Sequence, residues 1–120
     1  MKKRTVVFYR SSSGTCPVKD FLDSLPGQIA QKAVWVLRLV EELDALPAQY
    51  FAKLSGTDEI WECRINMGSN AYRILCFFSG ASSVILTNGF IKKGRKTPRN
   101  EIEKAEANRK DFIKRMVGHE

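Results

Sequence analysis

At Pro47 the apolar pattern of the chain switches from helical spacing to strict alternation. Before it, Ile29, Ala33, Val36, Leu37, Val40 and Leu43 recur as one stripe, preceded by a shorter one at Val18, Phe21, Leu22 and Leu25. After it, within Ile60 to Asn66, Trp61, Cys63 and Ile65 fall on one face while Glu62 and Arg64 fall on the other. A stripe of the first kind buries itself as a helix and a pattern of the second kind as a half-covered strand. Helices are therefore expected ahead of Pro47 and sheet beyond it, which is the layout of an α+β domain.

Prolines and turn formers delimit the elements. Thr5 to Tyr9, β-branched or aromatic, reads as a first strand closed by Arg10-Ser11-Ser12-Ser13-Gly14. Pro17 opens a short helix ending near Leu25, Pro26 opens a longer one that Pro47 stops, and the two form a hairpin. Gly68-Ser69-Asn70 turns the chain into Tyr72 to Phe78, which is apolar on both faces except at Arg73, as befits a central strand covered on both sides. Ser79-Gly80 turns it again into Val84 to Ile91, completing an antiparallel meander. Thr97-Pro98 starts a last helix in which Ile102, Ala105, Phe112 and Met116 lie near one face. The expected order is β-α-α-β-β-β-α, an antiparallel sheet packed against a helical hairpin and a C-terminal helix. With 120 residues, 43% of them apolar, residues 1–120 suffice for one core and read as a single domain.

Several classes of function are disfavoured. No apolar run nears the roughly 18 residues of a membrane span, and Met1-Lys2-Lys3-Arg4 leads only into the short stretch Val6-Val7-Phe8-Tyr9. A cytoplasmic location without a membrane partner is expected. Cys16, Cys63 and Cys76 form no CxxC pair, and the single histidine, His119, is the penultimate residue. Neither a disulfide framework nor a zinc site is indicated, and no cofactor is implied. The carboxylates are scattered, without the pairing of a two-metal site or a glycosidase. Cys63 and Cys76 read as small core fillers, since no histidine is near to make a thiolate.

The charge is informative through its asymmetry. The net charge is +7, with eight basic and seven acidic residues in 1–60 against twelve and six in 61–120, so a polyanion is expected to bind the second half. Arg64 lies on the polar strand face and Arg73 on the next strand, close enough to become cross-strand neighbours if the register allows. Like charges so placed repel until an anion arrives. Lys92-Lys93-Gly94-Arg95-Lys96 follows the last strand, with Arg99 just beyond, and would gather at the rim of the sheet. For each of these cations the alternative is simple solvation. Phe90 has two open readings, a platform on which a base stacks or a core residue. Lys53 adds a cation at the entrance to the site or is a solvated loop lysine, and Arg109, within the last helix's apolar stripe, either snorkels or reaches the basic face.

In combination, Lys53-Leu54-Ser55-Gly56, Ile60-Trp61-Glu62-Cys63-Arg64-Ile65, Tyr72-Arg73-Ile74, Gly89-Phe90-Ile91-Lys92-Lys93 and Lys96-Thr97-Pro98 resemble the HigB-type, phage-derived branch of the RelE/ParE toxin superfamily. The resemblance spans nearly the whole chain and implies a RelE-like fold. It further implies the toxin of a type II toxin–antitoxin system, an endoribonuclease that cuts messenger RNA on the ribosome. Carried over motif by motif, the catalytic residues are Arg64, Arg73, Lys92 and Lys93, with Lys53, Phe90, Arg95 and Lys96 binding substrate and no metal. The implied partners are a HigA-like helix-turn-helix antitoxin, messenger RNA and the ribosome, with operator DNA reached only through the antitoxin. Relatives on the ParE branch poison DNA gyrase instead, and a plain RNA-binding module is a third possibility.

The sequence departs from better-studied relatives in lacking a histidine near these motifs and in carrying Phe112 where a tyrosine would be sought in the last helix. Attack of a ribose 2′-hydroxyl on the neighbouring phosphorus would leave Arg64 and Arg73 to stabilise the developing charge. Lys92 or Lys93 would shuttle protons. Glu62 is the other candidate base, or else an ion-pair partner of Arg64. Replacing Arg64 or Arg73 by alanine is expected to relieve growth arrest through a loss of about 10²- to 10³-fold in rate while sparing the fold.

Overall fold

The structure is a computed structural model that describes residues 2–117; His119 lies outside them. The elements are β1 (Thr5–Phe8), α1 (Pro17–Asp23), α2 (Gly27–Glu42), β2 (Phe51–Lys53), β3 (Trp61–Met67), β4 (Asn70–Ser79), β5 (Ser83–Lys92) and α3 (Arg99–Val117). They build the α+β architecture expected, compatible with a RelE-like fold, with one five-stranded sheet in the order β1-β5-β4-β3-β2. No helix is long and apolar enough to cross a membrane among the described residues.

Two details depart from expectation, and they are linked. Phe51–Lys53, in a segment without a strand pattern, is a strand paired antiparallel with β3 through Ala52 opposite Glu62. Three residues are too few to show a period. This extra strand adds one reversal of chain direction between β1 and β5, and β1 accordingly pairs parallel with β5, Val6 opposite Val84. The sheet is therefore mixed rather than wholly antiparallel.

β4 is central, as its two apolar faces require. Tyr72, Ile74 and Cys76 face the hairpin, joining Val36 and Val40 of α2 and Val18 of α1 in the main core. Leu75 and Phe77 face α3, Leu75 with Phe90 and Ala105, Phe77 with Tyr9 and Ile85. Phe112 closes that second layer, its ring edge-on to Phe77 at 5.6 Å, but the stripe stops there: Met116 is exposed. The three cysteines are buried and unpaired, and burial raises the Cys76 thiol well above its usual range, consistent with filler. Where α1 meets β5 the packing depends on a missing side chain. A Cβ on Gly89 would lie 2.3 Å from the Phe21 ring, so only glycine lets the helix sit down on the strand.

Polar ties fasten the layers. Arg4 donates to the carbonyls of Val40 (3.0 Å), Leu43 (2.7 Å) and Asp44 (2.9 Å), gathering oxygens at and just beyond the C-terminal end of α2. Glu41 in turn accepts from the backbone N–H of Val6 at 3.0 Å. At the other end of the sheet, the Tyr9 hydroxyl donates to Asp111 at 2.6 Å, and Arg115 donates to the same carboxylate oxygen at 3.0 Å. The register slips between Leu75 and Cys76, and here Asn88 donates to Glu101 and Asn108 donates to the Thr87 carbonyl, pinning α3 to β5.

Candidate nucleic-acid site

α3 covers only part of its face of the sheet. The uncovered part carries the polar residues of β3 and β4, and the segment 93–98 arches beside it to open a cavity of about 840 Å³. Its lining includes the cations Lys53, Arg64, Lys92, Arg95, Lys96 and Arg99, drawn from β2, β3, the end of β5, the following loop and the start of α3. Leu54 and Ile102 supply apolar wall, and Glu62 is the one carboxylate in the lining. This is a place for an anion.

The geometry sorts the expected residues. Arg64 and Arg73 are direct register partners, so the cross-strand approach is real. Their environments differ, however. Arg64 is half-buried, with Nε on Glu62 Oε2 at 2.8 Å and Nη1 on the Ala48 carbonyl at 3.1 Å, and it lines the cavity. Arg73 is 8% exposed and not part of the lining, because Phe90 flanks it on β5 and its Nη1 is spent on Asn66 Oδ1 and the Tyr72 carbonyl, both at 3.0 Å. Burial lowers the Arg73 pKa from its ordinary value; Glu62 opposes the shift and Arg64 adds to it. The picture of two equal guanidinium groups facing substrate is corrected to one in the wall and one behind it.

Lys92, the last residue of β5, shares the face of Arg73 and lines the cavity. Lys93 lies just beyond the strand, exposed and not in the lining. Lys53, Arg95 and Lys96 all reach the cavity, Lys53 also donating to the Thr57 carbonyl at 3.0 Å. Phe90 is a second correction. At 8% exposure it packs with Leu54, Ile60, Leu75 and Ala105 and offers no ring face to a base. Arg109 stacks over Phe77 at 5.7 Å and borders a separate hollow of about 320 Å³ with Asp58, Glu59 and Glu106, away from the basic face. Among the described residues no group of three or more His, Cys, Asp or Glu is placed to hold a metal ion.

Sequence reasoning put Arg99 with the cations at the sheet rim without assigning it to the site, and it left out the polar shell of Asn66, Asn88 and Glu101. The signal for Arg99 was present, as a cation next to Thr97-Pro98. The shell had none, since Asn88 and Glu101 meet beside the register slip and Asn66 meets Arg73 across the β3–β4 pair.

The model of the family described as Phage derived protein Gp49-like (DUF891) matches residues 20–110. The chain belongs to that family. The Gp49-like family is related to RelE/HigB-type toxins, and the matched stretch runs from α1 into α3 and holds every residue lining the basic cavity. A search of curated proteins found no match. Of the sequence resemblance, then, the phage-derived, toxin-related part stands on the family match.

Proposed function

We propose that this Gp49-like chain is the toxin of a type II toxin–antitoxin pair, of the HigB type, and that it arrests growth by cutting messenger RNA, with the ribosome holding the substrate. The observation that carries the reading is the cavity wall, where six cations from five segments surround one carboxylate already engaged by Arg64. In the proposed reaction the ribose 2′-oxygen bonds to the adjacent phosphorus as the bond from phosphorus to the 5′-oxygen breaks. A 2′,3′-cyclic phosphate and a 5′-hydroxyl result. The 2′-hydroxyl gives up one proton and the leaving oxygen gains one, and Lys92 is the side chain in the wall suited to carry it. Arg64 stabilises charge that grows on the phosphoryl oxygens, where a guanidinium is worth most because it is already in place. Lys53, Arg95, Lys96 and Arg99 follow the flanking phosphates. DNA, lacking the 2′-hydroxyl, is a ligand and not a substrate.

A helix-turn-helix antitoxin, expected beside this gene, would silence the protein and bring it to operator DNA. Association of an acidic partner surface with this chain would slow as salt rises. The test is induced expression in a bacterium with mapping of new 5′ ends, with and without active translation. New ends that appear only for wild type, with Arg64→Ala reduced about 10²- to 10³-fold, are expected. Intact transcripts accompanied by DNA breaks would move the assignment to gyrase inhibition, and neither effect would leave an RNA-binding module.

A further inference from the structure

Glu62 is 2% exposed, in a cavity whose lining otherwise carries six cations. Oε2 accepts from Arg64 Nε at 2.8 Å, while Oε1 stands 3.8 Å from Arg73 Nε and neither of those two atoms has a hydrogen-bond partner. Leaving a buried acceptor and donor unsatisfied costs free energy, so stability alone does not account for the arrangement. Both contacts, made and unmade, are to Nε. Gripped at that edge, and with Nη1 on the Ala48 carbonyl at 3.1 Å, Arg64 keeps Nη2 for an incoming phosphate. With Oε2 engaged by Arg64 at 2.8 Å, the geometry favours the ion-pair reading of Glu62 over that of a proton acceptor.

We infer that Glu62 is a positioning residue, one buried carboxylate that holds Arg64 by its Nε edge, with Arg73 beside it as a charge neighbour, and so fixes where the wall presents positive charge to RNA. This rests on the reading of the cavity as a phosphate site. The carboxylate also offsets part of the cationic charge. Removing its charge therefore has opposite effects on binding and on chemistry: the resting site attracts anions more strongly, and the aim of Arg64 is lost.

The experiment compares wild type, Glu62→Gln and Glu62→Asp as full chains. Binding is measured with an RNA oligonucleotide carrying 2′-deoxy sugars, which cannot be cleaved, and rate is measured by single-turnover cleavage of the same sequence on ribosomes. For Glu62→Gln the expected result is binding about threefold tighter, from loss of one nearby negative charge, with cleavage about 10²-fold slower, as for a misplaced reacting group. Glu62→Asp, which keeps the charge but shortens the reach, should bind as wild type and cleave slowly. Parallel loss of binding and cleavage, or wild-type cleavage by Glu62→Gln, overturns the inference. If the variants do not fold, ¹⁵N spectra of the wild type decide: an Arg64 Nε–H protected from exchange that shifts with the oligonucleotide supports the role, and one exchanging as in free arginine overturns it. Should wild type bind but never cleave, the ribonuclease reading fails while the binding and Nε–H results still judge Glu62.

Discussion

Arg73 shows how one side chain can be right in place and wrong in kind. Its register opposite Arg64 follows from two alternating strands and a short turn, but its burial depends on Phe90 and Asn66, which no spacing rule brings together. Arg73→Ala is consequently expected to cost stability as well as activity, about 1–3 kcal/mol for stranding a buried partner, seen as a lower urea midpoint. Gly89 is the opposite case, a residue whose value is the atom it lacks. Gly89→Ala should destabilise by about 1–3 kcal/mol through overpacking against Phe21, and Phe21→Leu in the same chain should recover part of that loss in the same denaturation measurement.

Among the elements, those with a long period were legible. The hairpin helices, the meander and the last helix stand where prolines, glycines and apolar spacing put them, because each contains enough residues to repeat its pattern. β2 has three residues and no repeat, so it was lost, and the parallel pairing of β1 was lost with it. In the site, cations adjacent to a motif were legible and the wall's depth was not, since Phe90 and Lys93 are separated from Lys92 only by the turn of a strand and its end. α3 owes its far attachment to Tyr9, Asp111 and Arg115, a contact between chain ends that sequence did not show. The hydrogen bond from Tyr9 pulls the Asp111 carboxyl below its ordinary value of 3.8, so the stability it adds is present at neutral pH and disappears as pH falls through that lowered value. Burial, then the bond to Asp111, raises the Tyr9 hydroxyl above 10.0, so its contribution lasts to that pH and fades as pH rises through the raised value. Tyr9→Phe should lower the melting temperature near pH 7, and the gap from wild type should close in strong acid.

At the scale of the whole molecule the second half's excess charge is gathered beside one sheet face and not spread. Binding of RNA is expected to weaken steeply with salt, and Arg95→Ala with Lys96→Ala should flatten the slope of log affinity against log salt by about 0.7 per lost phosphate contact, read from a fluorescence titration. A slope unchanged by both substitutions would mean that the loop is only solvated. The same sheet separates two surfaces by the thickness of a single layer of backbone. On one side the Phe21 ring rests on Gly89; on the other, the neighbouring Phe90 backs Arg73, and two residues further Lys92 enters the cavity. The hairpin is thus a handle fixed to the rear of the sheet, and a partner that gripped and tilted it would move the strand bearing Lys92 without ever entering the basic cavity.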